Sequence, residues 1–150
     1  AEGVQSMFVA SGRYPSFVCR VDTDPFTNRD LILGLKHLQR RDRILNVIQK
    51  GKGDIANDQP IGPAYGASYY KEQQIRPYDP EKAKFHLTKS GVSGVEIHVA
   101  EVYPGITDMA LMLQRECSKV GFDLKVTKVP NDGYWGAIWL KKPMKLSFQI

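Results

Sequence analysis

Cysteine is almost absent. Cys19 and Cys117 are the only two in the chain, too few for a disulfide framework and too far apart for a zinc motif, and both read as buried free thiols. Histidine is equally sparse: His37, His86 and His98 fall on separate predicted elements, with no cysteine or carboxylate at ligand spacing. A metal site is therefore not expected, and the three are read as surface residues. The sequence also lacks a nucleophile elbow, a His-Glu-x-x-His pair and a phosphate loop, which removes the common serine hydrolase, zinc protease and nucleotidase readings. Gly51-Lys52-Gly53 follows a predicted helix and is too short to cradle a phosphate. No catalytic residue and no cofactor are assigned, so an enzyme is not expected. Apolar runs are short as well, only a few residues as at Leu31 to Leu33, against ~20 consecutive apolar residues for a bilayer span. No basic start followed by a long apolar stretch marks Ala1 to Ala10 as a secretory signal. An opening Ala-Glu-Gly fits either a processed secreted protein or an internal piece of a longer one.

What is present describes a folded domain. The chain has 150 residues, 42% hydrophobic and 25% charged, a length and composition that support a real core. Its 21 Lys and Arg outnumber 16 Asp and Glu, and the excess concentrates between Lys36 and Lys52. There Lys36, Arg40, Arg41, Arg43, Lys50 and Lys52 face Asp42 alone. A nucleic-acid module would carry such a patch beside a groove-entering helix or stacking aromatics. Neither accompanies it, and the solvated face of a helix pair is the plainer reading.

Residues 1–22 read as a β-hairpin: Val4, Met7, Phe8 and Val9, a turn at Ser11 to Pro15, then Phe17, Val18, Cys19 and Val21. A helical pair is predicted over 28–51. Asn28 caps it, Leu31, Leu35 and Leu38 share one face, Ile44, Leu45 and Ile48 form the second helix, and Gly51 ends it. From 52 to 78 periodicity disappears into a long loop rich in Gly, Pro and Tyr, of a length that tends to be functional. The part from 79 to 150 reads as α/β. Asp79-Pro80-Glu81 starts a helix that Gly91 ends. Val95, Ile97 and Val99 alternate as a strand. Ile106, Ala110, Leu113, Cys117 and Val120 line one helix face, and Leu124, Val126 and Val129 make another strand. This is a β-α-β unit, with two parallel strands and a covering helix. Met144, Leu146, Phe148 and Ile150 alternate to the last residue, which suggests a fragment whose continuation is missing.

One aromatic cluster stands out. In Asn131-Asp132-Gly133-Tyr134-Trp135-Gly136-Ala137-Ile138-Trp139 the two Trp lie one helical turn apart after a turn. A flat apolar face with a single N–H donor suits an indole to a core or to a ligand wall, and both readings stay open for Trp135 and Trp139.

The order of these motifs resembles family 5 extracellular solute-binding proteins, the peptide-, nickel- and sugar-type receptors of ABC importers. Asp24-Pro25-Phe26-Thr27-Asn28-Arg29-Asp30 with Arg41-Asp42-Arg43-Ile44 is similar to their Pro-Phe region. Gly51-Lys52-Gly53 followed by Asn57-Asp58-Gln59-Pro60-Ile61 is similar to their G-x-G and N-D-x-P-I loop. Tyr78-Asp79-Pro80-Glu81-Lys82-Ala83-Lys84, Val120-Gly121-Phe122 and Asp132-Gly133-Tyr134-Trp135 through Trp139 to Pro143 follow in the family order. Leu38-Gln39-Arg40, His86 and Thr88 depart from it.

The resemblance implies a periplasmic-binding-protein-like lobe fragment. It is of mixed α/β type, with a mixed sheet, a β-α-β unit and flanking helices. Residues 1–150 would form part of the C-terminal lobe of a two-lobed receptor, without its N-terminal lobe. The implied function is capture of a peptide-like or other small solute outside the cytoplasm and delivery to an ABC permease in the membrane. Trp135 and Tyr134 are expected as apolar walls of the cleft, with Trp139 beside them, Lys142 as a cation for a carboxylate, and Asn57 and Asp58 as hydrogen-bonding groups. A purely structural turn is the competing role for Asn57 and Asp58. Exposed cleft surface implies self-association. The alternative class is a nucleic-acid module built on Lys36 to Lys52.

Overall fold

The computed structural model describes residues 3–5, 7 and 11–149. Its sheet has four strands, β1 (Tyr14–Cys19), β2 (Gly94–Val99), β3 (Asp123–Lys128) and β4 (Met144–Gln149), in the order β1-β4-β2-β3. β2 runs parallel to β3, with Ile97 opposite Val126, and parallel to β4, with His98 opposite Lys145. β1 is antiparallel to β4, with Val18 opposite Lys145. The hairpin expected over 1–22 depends on Phe8 and Val9, which lie outside the described residues. Its second half is β1, and β1 takes the C-terminal strand as its partner.

Among the described residues four α-helices accompany the sheet: α1 (Arg29–His37), α2 (Arg41–Arg43), which runs on into a π-helical turn (Ile44–Ile48), α3 (Pro80–Ser90) and α4 (Ile106–Lys119). Local chemistry sets their ends. Asn28 Oδ1 accepts from the N–H groups of Asp30 and Leu31 at 3.0 and 3.3 Å, and Asp79 Oδ1 accepts from Lys82 N at 2.9 Å with Pro80 at the first helical position. Gly91 closes α3 in the left-handed conformation, φ 71°.

Strand alternation gives the sheet two unlike faces. Ile97, Val99, Leu124, Met144 and Leu146 point into the main core with Leu31 and Leu35 of α1, Ala83 and Leu87 of α3, and Met109, Ala110, Leu113 and Cys117 of α4. The opposite face carries Glu96, His98, Lys125, Thr127, Lys145 and Ser147. It is covered by the connection from β3 to β4, whose Tyr134 and Ile138 form a second small core with Ala100. His98 is thus buried under this connection, and His37 is buried where the Asp79 amide donates to its carbonyl. Both correct the expectation of surface histidines. Cys117 is buried and Cys19 half-buried, both free; burial pushes each thiol up to about 12.

Gly34 marks the closest approach of α1 to α3. A Cβ there would lie 2.6 Å from Leu87 Cγ and 3.2 Å from the Ala83 carbonyl oxygen. Gly34→Ala gains about 1 kcal/mol of helix propensity and loses about 1–3 kcal/mol to overpacking. The expected net result in urea denaturation is a loss of stability, against the direction propensity alone gives.

Candidate ligand-binding site

In sheets with parallel strands, ligands collect outside the carboxyl ends of adjacent strands whose connections leave in opposite directions. β2 and β4 are adjacent parallel strands, and the chain leaving β2 turns away from β4. From β2 the chain passes through α4, on the main-core face, to β3 at one edge. It then returns under the opposite face to β4 on the other side of β2.

The carboxyl end of β2 is built by Glu101. Its carboxylate accepts from Gly105 N at 2.7 Å, Thr107 N at 3.3 Å and Thr107 Oγ1 at 2.6 Å, so it occupies the amino end of α4, where the preceding Gly105 supplies no side chain. Burial alone would raise the Glu101 carboxyl; these donors hold it below the ordinary carboxylate value. Asn131 Nδ2 donates to the Glu101 carbonyl at 3.2 Å, tying the segments that follow β3 and β2.

The aromatic motif starts from that tie. Gly133 turns the chain with φ 75°, and Tyr134–Ile138 forms a π-helical turn. Tyr134 is 0% exposed and donates its hydroxyl to the Leu146 carbonyl at 2.9 Å. The ring faces the sheet, where its polar tip finds a buried acceptor. Trp135 is 49% exposed. Its ring meets Tyr134 edge-on at 5.2 Å and Trp139 at 5.6 Å. Trp139 is half-buried, with Lys145 Nζ 5.7 Å from its ring centroid, and Leu140 beside it is exposed.

The remaining expected site residues are not brought here. Lys142 is exposed but precedes β4, at the amino end of the parallel strands, where neighbouring Pro143 accepts from Arg20 N. Asn57 and Asp58 lie beside α1 and α2, which belong to the other face. Asn57 Nδ2 donates to the Gln73 carbonyl at 2.9 Å. Asp58 is gripped by Arg41 Nη2 at 2.5 Å, Arg76 Nε at 2.8 Å and Lys36 Nζ at 3.5 Å. Asn57 thus closes the long loop on itself, and Asp58 holds it to the helices. Burial alone would raise the Asp58 carboxyl, and Arg76 and Arg41 bring it below its ordinary value.

The same contacts divide the basic stretch. Lys36 and Arg41 serve Asp58, while Arg40 forms a two-point pair with Asp42 at 3.0 and 2.8 Å and lies over the Tyr78 ring. Lys36, Arg40 and Arg41 therefore act inside the fold. Sequence reasoning missed Glu101 and Lys145. The capping role of Glu101 was legible in its place before Gly105 and Thr107, whereas nothing in Lys145-Ser147 marks a lysine that is buried. Among the described residues no group of three His, Cys, Asp or Glu could hold a metal, and no helix is long and apolar enough to cross a membrane.

Solved structures share this arrangement. NikZ from Campylobacter jejuni in complex with Ni(L-His) matches with a TM-score of 0.79 and 20% identity over 92% of this chain and 30% of that one. NikA from Staphylococcus aureus in complex with Ni(L-His)2 matches with 0.78 and 17% over 91% and 30%. The periplasmic binding protein DppA from Helicobacter pylori in complex with the peptide STSA matches with 0.75 and 20% over 92% and 27%. The fold is that of a periplasmic-binding-protein lobe, and the chain spans about 30% of the length of these structures. No curated protein matches it in sequence. The model for bacterial extracellular solute-binding proteins, family 5 (middle), matches residues 2–149, and the chain belongs to that family.

Proposed function

We propose that this chain is part of the C-terminal lobe of a two-lobed receptor that captures a small, peptide-like solute outside the cytoplasm for a membrane ABC permease. It acts by binding and not by catalysis. The observation that carries the reading is the half-exposed indole of Trp135, which follows the carboxyl end of β3 beside the paired strands β2 and β4. With Trp139 and exposed Leu140 it offers a flat apolar surface suited to a ligand side chain. The N-terminal lobe supplies the opposing wall, and hinge closure buries the ligand between them. The closed form is what the permease recognises. The exposed cleft surface leaves self-association open to this chain on its own.

A single wall cannot enclose most of a ligand, so affinity should be weak, with Kd in the millimolar range or about −4 kcal/mol. The chain has two Trp, and their indole N–H resonances can be followed during titration with short leucine-containing peptides. The expected result is a saturable shift that Trp135→Ala abolishes. Unmoved indole resonances would remove Trp135 from the site. Submicromolar affinity would contradict an incomplete clamp.

A further inference from the structure

We propose that Lys145 is the positioning residue of the indole wall. This rests on the reading of Trp135 as a ligand contact. Lys145 is central to β4, 0% exposed, and points to the face opposite the main core. Among the described residues no carboxylate comes within ion-pair distance of its ammonium. What surrounds it is otherwise composed: Nζ donates to the Lys142 carbonyl at 3.3 Å and lies 5.7 Å from the centroid of Trp139. Cys19 of β1, on the main-core face, and Arg20 and Asp22 beyond it lie near enough to act on its charge, and His98 stands opposite on β2. Glu96, the nearest β2 carboxylate, is taken up by Thr127 and Lys125.

An enclosed cation without an ion-paired carboxylate is a burden on the fold, and a methionine of similar length would fill the space at less cost. Lysine supplies two contacts that methionine lacks, and both act on one segment. The hydrogen bond fixes Lys142, and the cation–π contact orients the Trp139 ring. Between them Leu140 holds φ 57°, a left-handed conformation unfavourable for a residue with a Cβ, so this segment needs restraint at both ends. Trp139 in turn meets Trp135 edge-on. The line of contact runs from Lys145 through Trp139 to the exposed indole.

The test uses the 150-residue chain with Lys145→Met, Lys145→Arg and Trp139→Leu. Its readouts are thermal melting, the far-ultraviolet exciton band of the indole pair, and acrylamide quenching of tryptophan fluorescence. Lys145→Met should melt no lower than the parent, lose the exciton band and quench more readily. Its affinity for a leucine-containing dipeptide should fall about fivefold. Lys145→Arg should retain the band. A folded Lys145→Met with parental band and quenching overturns the proposal. If that variant does not fold, Trp139→Leu decides: increased quenching of the remaining Trp135 supports the line of contact, and unchanged quenching overturns it. Should the band vanish in Lys145→Met while no peptide moves an indole resonance in the parent, positioning stands and the ligand reading falls.

Discussion

Tyr134→Ala should destabilise the chain by about 3–5 kcal/mol, the cost of deleting a large aromatic side chain from a packed interior. Tyr134 is the largest fully enclosed side chain among the described residues. It anchors the second core, in which Ala100 and Ile138 are its buried companions. With so few neighbours, little can collapse into the space it leaves. Removing the ring also strips the Leu146 carbonyl of its side-chain donor and Trp135 of an edge-on partner. Tyr134→Phe separates these effects: it keeps the volume and should cost only the hydrogen bond, about 1–2 kcal/mol. Urea denaturation of the two variants gives both values. Equal losses would show that the hydroxyl, and not the ring, holds the motif.

Asp58→Ala is expected to loosen the whole segment from 52 to 78. The Asp58 side chain is 11% exposed and meets three cations, so its loss leaves Arg41, Arg76 and Lys36 to repel one another. Arg41 is the worst placed, because burial already pushes its guanidinium below the ordinary value. Because Lys36 and Arg76 remain partly wetted, the cost should be about 2–3 kcal/mol, below that of breaking a wholly buried pair. Limited proteolysis should cut first within 52–78. Acid should imitate the substitution. The Asp58 carboxyl is held below its unfolded value, so its contribution is complete above about pH 4 and is lost as pH falls through the lowered native value. Glu116 follows the same sign. Burial would raise it, but Lys119 and the Tyr78 hydroxyl keep it lowered. Stability measured from pH 7 downward should fall in the acid range, and the Asp58→Ala slope should be shallower than the parent's.

Local signals carried a large share of the architecture. The alternation at Val95, Ile97 and Val99, the helical face from Ile106 to Cys117 and the strand from Leu124 correspond to β2, α4 and β3, because each segment buries one face and its period records that burial. Long-range pairing was not legible. Nothing in residues 14–19 says that their partner is 144–149, since strand periodicity fixes which side chains face inward and not which backbone lies alongside. The candidate site suffered for a related reason. Tyr134 and Trp135 are adjacent in sequence, yet one ring is enclosed and the other half exposed, and that division depends on a buried carbonyl supplied by β4. Asn57 and Asp58 lie in a loop of functional length, but their partners Gln73, Arg76 and Arg41 are reached only once the loop folds back on the helices.

The place of β4 between β1 and β2 imposes an order of events on the chain. β1 lacks a ladder, and the two halves of the sheet lack a seam, until residues near 144–149 arrive, so β1 must wait for β4. Pairing across such a separation closes a long loop, which slows folding and leaves apolar edges uncovered in the interval. The side chains of the early helices then have no floor to settle on. During synthesis this region should remain open to chaperones until β4 has left the ribosome.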